Sequence, residues 1–79
     1  MKVTIICDDE NAPFFGNIIV EKFPDLTEMS KKDTGYEKNL TKISFTVNIC
    51  CKNAIEYIYE QFKDDNDKLV SISVKELSD

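Results

Sequence analysis

Leu40-Thr41-Lys42-Ile43-Ser44-Phe45-Thr46-Val47-Asn48-Ile49-Cys50 decides the fold. Ile43, Phe45, Val47 and Ile49 alternate with Lys42, Ser44, Thr46, Asn48 and Cys50. A period of two belongs to an extended strand with one apolar and one polar face. A sheet of such strands needs cover on one side only and can leave the other in water.

Downstream of that strand, Asn53 followed three residues later by Glu56 has the form of a capping box. Ala54, Ile55, Ile58, Tyr59 and Phe62 then recur at helical spacing, and Asp64-Asp65-Asn66-Asp67 ends the helix. Residues 68–76 predict a strand with Val70, Ile72 and Val74 inward and Ser71, Ser73 and Lys75 outward. Upstream, residues 2–7 predict a strand with Val3, Ile5 and Cys7 on one face and Thr4 and Ile6 on the other. Asp8-Asp9-Glu10-Asn11 interrupts it. Pro13 suits the first turn of a helix, whose stripe is Ala12, Phe15, Ile18, Ile19 and Phe23 and whose stop is Pro24. Residues 25–32 predict an edge strand, with Leu26 on one face and Thr27, Met29 and Lys31 on the other. Asp33-Thr34-Gly35 marks a turn, or the tip of a hairpin reaching Asn39.

The order is β-α-β-β-α-β, in one domain spanning 1–79. Two helices of this length cover one face of a four-stranded sheet, and each strand offers one apolar face. The economical solution is α+β: a ferredoxin-like α/β plait, with a four-stranded antiparallel sheet and both helices on one side. Strands 1 and 3 are then central and strands 2 and 4 are the edges.

Composition excludes more than it assigns. The chain has no His, no Trp and no Arg, so all ten cations are lysines, against 15 acids and a net charge of −5. No side chain titrates naturally near neutrality, and none offers a rigid fork to phosphate. The acidic balance repels nucleic acid and anionic membranes, so neither is expected as a partner. No apolar run has the length of a signal peptide or a membrane span. Three cysteines without framework spacing imply a reducing, cytoplasmic setting.

Several constellations imitate chemistry. Ile5-Ile6-Cys7-Asp8-Asp9-Glu10 resembles the start of a phosphoacceptor receiver domain, but the later strand ends in Asn48-Ile49-Cys50-Cys51 with no carboxylate. A solvated acidic cluster favoured by a helix N-terminus accounts for these residues. Asp64-Asp65-Asn66-Asp67 lacks the glycine and closing glutamate of a calcium loop. Cys7 ends strand 1 and Cys50-Cys51 end strand 3, so parallel pairing would gather the thiols at one edge. Small-hydrophobe packing is the simpler role. No metal and no cofactor is expected.

The stretch from Ser30-Lys31-Lys32 to Lys63 carries a resemblance. A serine-lysine turn and Tyr36 precede the strand Ile43-Ser44-Phe45-Thr46-Val47-Asn48 and a helix containing Ala54-Ile55-Glu56-Tyr57-Ile58-Tyr59-Glu60-Gln61-Phe62. This resembles the small bacterial YbeD-like family, labelled lipoate regulatory proteins. The resemblance implies a ferredoxin-like fold and a regulatory role, and it transfers no site.

The expected function is a small non-enzymatic regulatory or interaction module, acting through a protein partner or self-association. The candidate surface is the edge strand with Thr27, Met29 and Lys31, and the polar sheet face with Ser44, Thr46, Asn48, Ser71 and Ser73. Thr4 and Lys75 share that face, which carries no aromatic for stacking bases. Tyr57 lies off the helix 2 stripe and Phe14 off that of helix 1, and either could anchor a contact. Lys31, Lys32 and Lys38 line the hairpin and could bind a phosphate or an acidic peptide, but beside Asp33 and Glu37 a solvated edge is the simpler role. The alternative is an acidic inhibitor of phage or mobile-element type, blocking a basic nucleic-acid-binding surface.

Overall fold

The computed structural model describes residues 1–33, 39–49 and 53–76. The elements are β1 (Lys2–Asp8), α1 (Ala12–Lys22), β2 (Thr27–Asp33), β3 (Leu40–Thr46), α2 (Ala54–Gln61) and β4 (Leu69–Lys75). Short 3-10 turns at Asp9–Asn11 and Lys63–Lys68 lead into α1 and β4. The strands form one sheet in the order β2-β3-β1-β4, and every neighbouring pair is antiparallel. The fold is therefore α+β, as the alternation in 40–50 implied.

The core lies on one face of the sheet. Val3, Ile5 and Cys7 of β1 and Ile43 and Phe45 of β3 meet Phe15 and Ile19 of α1 and Ile58 of α2 in a single cluster. Phe23, one residue past α1, stacks near Phe62 and tilts against Phe45, with centroids 6.3 and 5.5 Å away. These rings close the space between the two helices. Pro13 occupies the first turn of α1, and Lys22 in its last turn favours the helix dipole.

Five expectations need correction. First, β1 and β3 are antiparallel, as the plait requires, so the parallel pairing that would gather the thiols does not occur, and Cys7 stands opposite Thr41 at the start of β3. Strand 3 runs away from Cys7, so its C-terminal end is at the far end of the sheet. Cys50 and Cys51 themselves lie outside the described residues, as do Tyr36 and Lys38. Second, the ladder of β3 ends at Thr46; beyond it the Val47 N–H donates to the Met1 carbonyl at 2.8 Å.

Third, Thr27, Met29 and Lys31 do not share a face. Thr27 pairs with Thr46 while Ser30 pairs with Ser44, so β2 carries one extra residue there. Glu28 takes φ 55°, and the bulge reverses the alternation. Met29 turns toward the core and Lys31 falls opposite the buried Ile43. Fourth, Asn53 makes no side-chain cap bond; its carbonyl accepts from the Tyr57 N–H at 2.9 Å. Ile55 and Tyr59 of the expected stripe are exposed, because Ala54, Ile58 and Phe62 face inward and their neighbours lie about 100° around the helix. Fifth, Val70, expected inward, is 58% exposed, because β4 carries an extra residue opposite the Ile6/Cys7 step.

Candidate functional site

The uncovered face of the sheet is a grid fixed by strand register. Alternate residues of each strand point away from the helices, and cross-strand pairing sets them in three rows. The middle row reads Ser30, Ser44, Thr4 and Ser73 across β2, β3, β1 and β4. One flanking row reads Lys32, Lys42, Ile6 and Ser71, and the other Thr27, Thr46, Lys2 and Lys75. Four hydroxyls thus cross the sheet between two lysine pairs at diagonally opposite corners. The Thr4 and Ser44 hydroxyls lie 3.3 Å apart, and Ser44 is buried between its neighbours. The Thr46 hydroxyl donates to the Glu28 carboxylate at 3.4 Å.

The lysines set the electrostatics. Lys32 is directly opposite Lys42, and Lys2 is directly opposite Lys75. Like charges so placed oppose sheet formation. Among the described residues, none of the four has a carboxylate partner within ion-pair distance; the ion pair recorded there is Lys68–Asp65, at 3.9 Å. Glu28 is the acid of this face, with Asp8 at the rim where β1 ends. The chain as a whole carries −5, so these four lysines are segregated from the acids of the turns and helices. Shallow hollows of about 180 and 410 Å³ lie on this face, the larger between Lys42 and Lys75.

Of the candidate residues, Ser44, Thr46, Ser71, Ser73 and Thr27 fall within the grid. Asn48 is exposed beyond the end of β3. Met29 and Lys31 belong to the helix side. A Cβ on Gly16 of α1 would stand 2.7 Å from the Lys31 ammonium nitrogen, so this side chain lies over α1. Tyr57 is exposed and meets Phe23 edge-on at 6.5 Å. It borders a separate cleft of about 370 Å³ beside Phe23, Leu26 and Ile49. Phe14 packs edge-on against Phe15 and is covered by the Lys68 ammonium 4.2 Å from its ring centre.

Sequence reasoning missed Lys2, Lys32 and Lys42 as members of one surface. Their signal is positional: each occupies the outward phase of its strand, and register alone brings them into facing pairs.

The other candidates stay structural. Cys7 is fully buried, and burial first, then the charges of Asp8 and Asp9, push its thiol above the ordinary 9.0 against an opposing effect of Lys31. Asp9 accepts a hydrogen bond from the Thr41 hydroxyl, tying the acidic turn to β3. Among the described residues no three His, Cys, Asp or Glu side chains gather as metal ligands. No helix among them is long and apolar enough to cross a membrane. Both edges are bulged: β2, which also carries Lys31 and Lys32, between Thr27 and Ser30, and β4 at Val70, which is left 58% exposed. The chain matches no family model, no curated protein and no solved structure.

Proposed function

We propose that the chain is a ferredoxin-like plait of the YbeD-like kind, working as a non-enzymatic regulatory module that binds a protein partner through the open face of its sheet. The strand order β2-β3-β1-β4, with the two helices joined to one core, supports the plait. The observation that carries the function is the grid itself. A face able to pack against helices on one side is left polar, ordered and bare on the other. The lack of His and Arg, and the burial of Cys7, support a binding role over catalysis.

Self-association through a sheet edge is the companion mode. Bulges and lysines blunt both edges, and the exposed Val70 of β4 gives that edge an apolar contact. A second reading, the acidic inhibitor, is favoured by the placement of exposed acids such as Glu21, Glu56, Glu60 and Asp64 on the helices and turns.

Pull-down from the native host's lysate with tagged protein separates these readings. The wild type should retain a stoichiometric partner that Lys42→Glu/Lys75→Glu loses. Loss with Glu56→Lys/Glu60→Lys, and retention with the lysine variant, would replace the open face by the helix face.

A further inference from the structure

The two lysine pairs are unfavourable in the isolated chain and favourable with an anion upon them. Opposite charges across strands stabilise a sheet and like charges weaken it. This chain nevertheless sets lysine against lysine twice on one face, at Lys32–Lys42 and Lys2–Lys75, while its net charge is −5. We propose that these pairs anchor an acidic segment of a partner protein, laid extended and diagonally across the open face. This deepens the preceding reading and rests on it.

Geometry gives the segment its spacing. The pairs are separated by two strand spacings across the sheet and four residues along it, about 16 Å between their midpoints. An extended peptide covers that distance in about five residues. Two acidic doublets with three small polar residues between them therefore fit the two corners. Between the corners, Ser30, Ser44, Thr4 and Ser73 offer hydroxyls to the peptide backbone, and the half-buried Ile6 gives an apolar footing.

The surroundings favour a short acidic segment over a nucleic acid. The grid holds no aromatic ring on which a base could stack. Its cations are lysines without a guanidinium to grip phosphate by two bonds. Glu28 stands beside Thr46 and Asp8 one step beyond Ile6, at the two corners off the lysine diagonal, so a broad polyanion meets repulsion that a narrow segment along the diagonal escapes.

The test is an amide NMR titration of the whole chain with three probes at low salt. The first is a peptide of two Glu-Glu doublets separated by Ser-Gly-Ser, the second four contiguous Glu between neutral residues, and the third an oligothymidylate. The spaced peptide should shift amides of Thr4, Ser44 and Ser73 and bind more tightly than the contiguous one. Lys42→Glu/Lys75→Glu should weaken it at least tenfold, and Lys22→Glu/Lys63→Glu on the helix side should leave it unchanged. Both variants need unchanged spectra away from the mutated positions. Tighter binding of the oligothymidylate to the same amides would overturn the acidic segment and leave the open face standing. Peptide shifts confined to the helix side would overturn both. Silence from every probe at millimolar concentration would overturn the acidic segment alone, because the pull-down decides the face independently.

Discussion

Gly16 and Lys31 form a contact whose energetics can be stated at the level of single atoms. Glycine inside a helix costs up to about 1 kcal/mol relative to alanine. The atoms that a methyl at Gly16 would meet are the end of the Lys31 side chain, at 2.7 and 3.2 Å. Lys31 is exposed and its end can swing away. Gly16→Ala should therefore raise stability by about 0.5–1 kcal/mol in urea unfolding. A loss would mean that Lys31 is held in place. Cys7 gives a second prediction. Its thiol is raised above 9.0 in the folded protein, so the unfolded chain loses that proton first as pH rises. Stability from this group is intact below the ordinary value and declines as pH climbs above it. Unfolding followed upward from about pH 8.5 should show a steeper decline for the wild type than for Cys7→Val. In the native protein Cys7 should resist alkylation until the chain unfolds.

Among the elements, the strands show what a sequence reveals and what it hides. β1 and β3 were legible because each keeps its period of two over the paired residues, and β4 was legible from Ser71 onward, its extra residue turning Val70 outward. β2 was legible as an edge strand and illegible in its facing, since Thr27-Glu28-Met29-Ser30 holds no glycine to announce the positive φ at Glu28. One inserted residue sends Met29 to the core and exchanges Lys31 for Lys32 on the open face. In α2 the apolar residues outnumber the inward positions, so the stripe was read too wide, and Ile55 and Tyr59 remain outside. The lysine pairs were hidden for another reason: no residue is unusual in its own strand, and only register creates the repulsion. Lys42→Gln should stabilise the chain by about 0.2–1 kcal/mol at low ionic strength. The gain should shrink as salt screens the pair, and thermal melts at two salt concentrations read it directly.

As a whole molecule, the chain divides its labour by face. The helix side supplies cohesion, with Phe15, Phe45 and Phe62 each at most 2% exposed. A domain this small has little stability to spare. Phe45→Ala removes a ring from the centre of that core and should cost about 3–5 kcal/mol, enough to leave much of the population unfolded in circular dichroism melts. The sheet side contributes little to cohesion, so its side chains can change without loss of fold. That separation lets the open face be tested without confusing binding with unfolding. Lysine acetylation footprinting in native-host lysate, read by mass spectrometry against the purified protein, asks the question most directly. Lys2, Lys32, Lys42 and Lys75 should be protected in the lysate while Lys22 and Lys63 react equally in both. Protection of Lys22 and Lys63 with the four sheet lysines fully reactive would contradict the open face as the working surface.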